Sequence, residues 1–163
     1  MKTAVVTGGS SGIGLSCCRK FLENGYRVYE MSRREPKIQT VGVKHISCDV
    51  TDERSVSETF KKIYNDSGSI DILVNKSQAS ASQGRLNSQS LQKLKNSLTS
   101  ISSAALFAQK NVIKYMRLQG GGRIVNLSSL AAPLAIPFQA FLFGRQKAAV
   151  NSLTLALANE VRP

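Results

Sequence analysis

A chain of 163 residues, 42% hydrophobic and 20% charged, has the length and apolar content for one domain with a real core, which excludes wholesale disorder. Its net charge of +12 arises from missing acids rather than clustered bases, because no Asp or Glu occurs between Asp71 and Glu160. With no aromatic interleaving of the lysines either, nucleic-acid binding is not expected; three cysteines, no signal-peptide start and no bilayer-length apolar run point to reduced thiols in a cytoplasmic protein away from membranes.

The apolar run Thr3–Val6 predicts a first strand and leads into TGGSSGIG at 7–14. Helical spacing over Leu15–Asn24 follows and stops at Gly25. Further strands are predicted at Arg27–Met31, Val43–Cys48, Ile70–Val74 and Arg123–Leu127. Thr51 can cap the helix between the third and fourth of these strands, with Asp52 and Glu53 in its first turn, where the dipole favours acids. Another helix ends near Leu118 with Ile113 and Met116 on one face, and a last one is predicted over Lys147–Val161. Strands alternating with helices imply a single α/β domain over 1–163, a doubly wound, Rossmann-type parallel sheet with helices on both faces. Residues 76–103 break the pattern: they are rich in serine and glutamine, show no clear period, and read as a solvated loop of improbable length. FLFGRQK at 141–147 is equally out of character beside the regular helix that follows it.

The glycine turn carries the clearest chemistry. Gly8 permits a tight turn after the strand, while Gly12 and Gly14 let backbone approach a pyrophosphate and let the helix pack on the sheet. Gly8, Ser10, Ser11, Gly12, Ile13 and Gly14 together form the candidate phosphate cradle, since a helix N-terminus offers unpaired N–H groups and a positive dipole end. Counting on from the turn puts Ser32 at the end of the second strand, where NAD-preferring sites hold an acid, with Arg33 and Arg34 next. That pattern favours NADP over NAD as cofactor. Glu30, two residues earlier, is expected to point elsewhere. No metal site is expected.

With TGGSSGIG at 7–14, CDVTD at 48–52, ILVN at 72–75, GRIVNLSS at 122–129 and KAAVNSLTLALANEVRP at 147–163, the chain resembles the short-chain dehydrogenase/reductase (SDR) family. The resemblance implies that Asp49 and Val50 hold the adenine, Asn75 flanks the cofactor, Ser129 polarises a substrate carbonyl and Lys147 holds the nicotinamide ribose. It implies an NADP-dependent oxidoreductase moving hydride between the nicotinamide and a ketone or secondary alcohol, in a homo-oligomer. Three departures stand against it. Lys76-Ser77-Gln78 replaces Asn-Ala-Gly, Ser100 occupies the zone of an expected asparagine, and Phe143 stands where the family has its catalytic tyrosine. A phenyl ring has no proton to give, so the alternative is a catalytically dead nucleotide-binding remnant; a basic interaction module comes third. The family also normally runs on past the position of Pro163, so a missing C-terminal part is expected.

The departures have a reading in the genetic code. With third bases free, shifted frames of Gln78–Gln89 and Leu98–Lys110 yield Gly-Phe-Gly-Ile-Ser-Gly and Asp-Val-Asn-Phe-Phe-Gly, which resemble the family where the printed residues do not. The expected asparagine then arises across Ser100 and Ile101. FLFGRQK shifts to Phe-Tyr-Ser-Ala-Gly-Lys, with the tyrosine across Leu142 and Phe143. Residues 76–110 and 142–146 are therefore expected to be out of frame.

Overall fold

The computed structural model describes residues 1–37, 39–76, 91–133 and 141–161, with backbone alone for 91–102 and 141–142. In chain order the elements are β1 (Thr3–Thr7), α1 (Gly12–Glu23), β2 (Arg27–Ser32), β3 (Val43–Ser47), α2 (Glu53–Ser67), β4 (Ile72–Asn75), α3 (Leu91–Leu118), β5 (Arg123–Asn126) and α4 (Phe141–Glu160). The strands form one parallel sheet in the order β3-β2-β1-β4-β5. The chain thus winds outward from β1 to β3, then returns to lay β4 against the other side of β1. That reversal opens a crevice at the carboxyl ends of β1 and β4, the place where open α/β sheets take their ligands.

Strand parity divides the core between the two faces. Val5, Tyr29, Met31 and Leu73 point to one side, where Val56, Phe60 and Ile63 of α2 and Ala108, Val112 and Met116 of α3 meet them. Val6, Val28 and Val74 point to the other and pack on Cys18 of α1. Val56, Phe60 and Ile63 recur at one helical face, and each buried side chain of this kind contributes about 1.5–3 kcal/mol. Among the described residues α1 covers one face; α2, α3 and α4 lie on the other, α4 reaching it through Asn126 of β5. No helix among the described residues is long and apolar enough to cross a membrane.

Several boundaries differ from the sequence expectations for identifiable reasons. The first helix begins at Gly12 rather than Leu15, because the glycine turn itself winds into the first helical turn. The fourth strand starts at Ile72 rather than Ile70, and the second continues to Ser32. Asp52, not Thr51, caps α2: its side chain accepts from the Arg54 N–H at 2.9 Å, while the Thr51 hydroxyl donates to Asp49 Oδ1 at 2.7 Å. The stretch expected to be a loop is helical from Leu91 onward, where α3 begins; residues 77–90 lie outside the described set. FLFGRQK is no irregular prelude but the first two turns of α4.

Candidate functional site

The turn from β1 into α1 is built for close approach. Gly12 has φ +52°, which a side chain would strain, and space beyond it is open. A Cβ on Gly14 would lie 2.2 Å from the Gly8 carbonyl oxygen, so only glycine lets the helix start this near the strand end. Gly8, at φ +67°, donates its N–H to the Met31 carbonyl at 2.8 Å and ties the turn to β2. Ser11 is the N-cap in extended backbone, yet its side chain makes no capping hydrogen bond, and the first turn holds no acid. The amides of that turn and the positive end of the dipole are therefore left for an anion. Ser11, Gly12 and Ile13 are exposed, Ser10 is half-buried beside them, and Ile13 is 61% exposed at the lip. These residues fit the pyrophosphate of a dinucleotide.

The residues expected at the adenosine follow along the ends of β2 and β3. Ser32 closes β2, its hydroxyl 2.9 Å from the Arg34 carbonyl and 3.2 Å from Glu30 Oε1. Glu30 does not point elsewhere: residues two apart on a strand share a face, and Glu30 lies buried beneath Ser32, paired with His45 of β3. Arg33 is exposed and its carbonyl accepts from Ser47 Oγ at 3.4 Å. Asp49 accepts at Oδ1 from the Thr51 N–H at 3.0 Å as well as from the Thr51 hydroxyl. Those two bonds hold its carboxyl below the usual range, with a smaller contribution from the Arg33 charge. Val50 is half-buried against the α2 side of the core.

The residues expected at the nicotinamide lie between β4, β5 and α4. Lys147 is 6% exposed and donates from Nζ to the Leu127 carbonyl at 2.7 Å, with the ammonium 5.7 Å from the centre of the Phe143 ring one helical turn away. Burial pulls the Lys147 pKa down, and the Lys76 charge adds to the effect. Ser129 is half-buried in the loop after β5, its hydroxyl accepting from the Ala131 N–H at 3.2 Å. Asn75 is buried and donates from Nδ2 to Asn126 Oδ1 at 2.8 Å, while its Oδ1 has no partner among the described residues. Lys147, Phe143 and the Ser129 loop are thus brought together. Ser100 lies on α3, but its side chain, like Ser77 and Gln78, falls outside the described residues.

Three features escape sequence reasoning. Gly144 sits where a Cβ would come 2.3 Å from the Ala131 carbonyl oxygen, so its bare backbone lets α4 close on the loop carrying Ser129. Nothing in its neighbours signals that contact. Asn126 accepts from Gln109 Nε2 at 3.0 Å and donates to Thr154 Oγ1 at 2.8 Å, linking α3, β5 and α4 beneath Asn75. A polar residue on an inward position of an apolar strand was its only available sign. The third is the Glu30–His45 pair. Among the described residues no group of three or more His, Cys, Asp or Glu could hold a metal ion.

Comparison with known proteins sharpens this picture. The sequence profile of the family described as short chain dehydrogenase matches residues 2–163. A 3-ketodihydrosphingosine reductase of Bacteroides thetaiotaomicron is 31% identical over 98% of this chain, which spans 58% of that protein. Among solved structures, ElxO with NADP bound matches with a TM-score of 0.89 at 32% identity, over 98% of this chain and 67% of its own. A tyrosine-to-phenylalanine variant of ElxO with NADPH bound matches equally well. An NAD+-bound xylitol dehydrogenase has a TM-score of 0.88 at 27% identity, over 98% of this chain and 64% of its own.

Proposed function

This chain belongs to the short-chain dehydrogenase family, and on that premise we propose that it binds NADPH and derives from a reductase of ketones or secondary alcohols. The observation that carries the reading is the uncapped, acid-free start of α1 behind Gly12 and Gly14, facing the crevice between β1 and β4. The cofactor supplies hydride when bound. The chain's residues hold and orient it: α1 amides on the pyrophosphate, Asp49 and Val50 at the adenine, Lys147 at the ribose, and Asn75 beside the ring. Ser129 polarises the carbonyl oxygen. The position that should hand over a proton carries Phe143, so the chain as written binds cofactor without completing reduction.

NADP is favoured over NAD because Ser32 replaces the acid that would hold a 2′-hydroxyl, and Arg33 is exposed beside it. Fluorescence titration is expected to give tighter binding of NADPH than NADH. Arg33→Ala should weaken NADPH by about tenfold, the scale of a charge-assisted phosphate contact, and leave NADH nearly unchanged. Equal affinities, or no loss in the variant, count against the assignment.

We further propose that Lys76 and Phe143 stand where they do because the coding DNA is out of frame over residues 76–110 and 142–146. Error-corrected resequencing is expected to return Asn-Asn-Ala-Gly, an asparagine in α3 and Tyr-x-x-x-Lys, with acids restored to the acid-free span. Codons that give stops or polar nonsense in the shifted frames would favour decay by substitution instead. A small-molecule substrate and a homo-oligomeric parent complete the proposal.

A further inference from the structure

The second glycine of TGGSSGIG, Gly9, has a different reason to be glycine from Gly8, Gly12 and Gly14. Gly9 is absent from the positive-φ glycines, so its backbone does not require glycine. Space does: a Cβ there would stand 2.6 Å from Glu30 Cβ and 2.8 Å from Cys18 Sγ. The missing side chain makes room for Glu30, which is 1% exposed directly under the turn. Buried carboxylates are rare unless paired. Here Oε1 meets His45 Nδ1, from the residue directly opposite in the β2–β3 register, and lies within reach of the Ser32 hydroxyl. Oε2 has no donor among the described residues. Both side chains line an open cavity of about 360 Å³, bounded also by Gly9, Leu15, Glu35 and Gln39. Cys18, the other titratable group against Glu30, stays a neutral thiol, its pKa pushed up to about 12 by burial first and the Glu30 charge second.

We propose that Glu30 and His45 form a buried pair that sets how strongly the site discriminates NADPH from NADH, acting by its net charge beneath Ser32 rather than by touching the cofactor. The inference rests on the cofactor reading above. Glu30 alone puts a negative charge under the position that receives the 2′ end, opposing a phosphate there and indifferent to a hydroxyl. His45, hydrogen-bonded to that carboxylate, offsets it when the imidazole carries a proton, and Arg33 and Arg34 supply the attraction from outside. The pair are positioning residues, and their signature is a changed ratio of the two affinities. A purely structural role would move both affinities together.

The test is fluorescence titration of NADPH and NADH into the full chain and its variants at one pH and salt concentration. Glu30→Gln keeps the acceptor for Ser32 and removes the charge; it is expected to raise the NADPH-to-NADH affinity ratio about three- to tenfold, the reach of one charge at an effective permittivity near 20. His45→Gln is expected to lower the ratio by a similar factor, and the double variant to return it toward the starting value. Should His45→Gln fail to fold, the single Glu30→Gln and the double variant decide the matter. A ratio unmoved by Glu30→Gln, in a chain that prefers NADPH and loses that preference in Arg33→Ala, overturns this inference and spares the cofactor reading. A ratio that moves with Glu30 but not with Arg33 supports the pair and overturns the role given to Arg33. Binding of neither cofactor by the unaltered chain overturns both.

Discussion

Phe143→Tyr is expected to raise NADPH-dependent ketone reduction by about 10²–10⁴-fold over the unaltered chain, the range a positioned general acid provides. Phe143 sits one turn before Lys147 on α4, its ring 5.7 Å from the ammonium, and it is only partly buried, so an added hydroxyl meets little obstruction. A cation at that range favours the phenolate and lowers the phenol's pKa, which readies the proton for transfer. Gly144 keeps α4 against the loop of Ser129, the residue proposed to polarise the carbonyl. The measurement is the loss of NADPH absorbance with a panel of ketones. Equal rates for both proteins, or activity in the unaltered chain that disappears with Lys147→Ala, would show that Phe143 is not the missing element.

Gly14→Ala should have the largest effect on binding. The new Cβ would stand 2.2 Å from the Gly8 carbonyl oxygen and 2.9 Å from its carbon, and backbone on both sides cannot step aside as a flexible side chain can. Overpacking of this kind costs about 1–3 kcal/mol of stability. The start of α1 must also move from the strand end, and ångström-sized misplacement of a positioned group acts on a scale of about 10²-fold, here in cofactor affinity. Gly12→Ala is the useful contrast. Nothing lies within 4 Å of its Cβ, so it carries only the strain of φ +52°, about 1–2 kcal/mol. Denaturant unfolding and cofactor titration of the two variants should separate them; similar losses in both would mean that close approach at Gly14 is not what shapes the turn.

The sheet was legible because its signals are local. Short apolar runs punctuated by glycine gave all five strands to within two residues, and the glycine turn fell between β1 and α1 as its spacing required. Signals that depend on a partner elsewhere in the chain were not legible. Asp52 rather than Thr51 caps α2 because Asp49 draws Thr51 away. The start of α4 was hidden because Gly144 and a basic pair look like a break until Ala131 is packed against them. The helix ending near Leu118 was legible from Ile113 and Met116, but its start at Leu91 was hidden because the serine- and glutamine-rich run up to Ser103 shows no clear period. Glu30 illustrates the remaining failure: it was expected to point elsewhere although it shares the Ser32 face of β2, and its burial depends on Gly9 above it and His45 beside it.

The cofactor claim is tested most directly by calorimetric titration of NADPH into the unaltered chain, with Gly14→Ala as the control. Saturable binding at one site is expected, tighter for NADPH than for NADH and lost in the variant. No binding of either nucleotide, or binding that Gly14→Ala leaves unchanged, would contradict it.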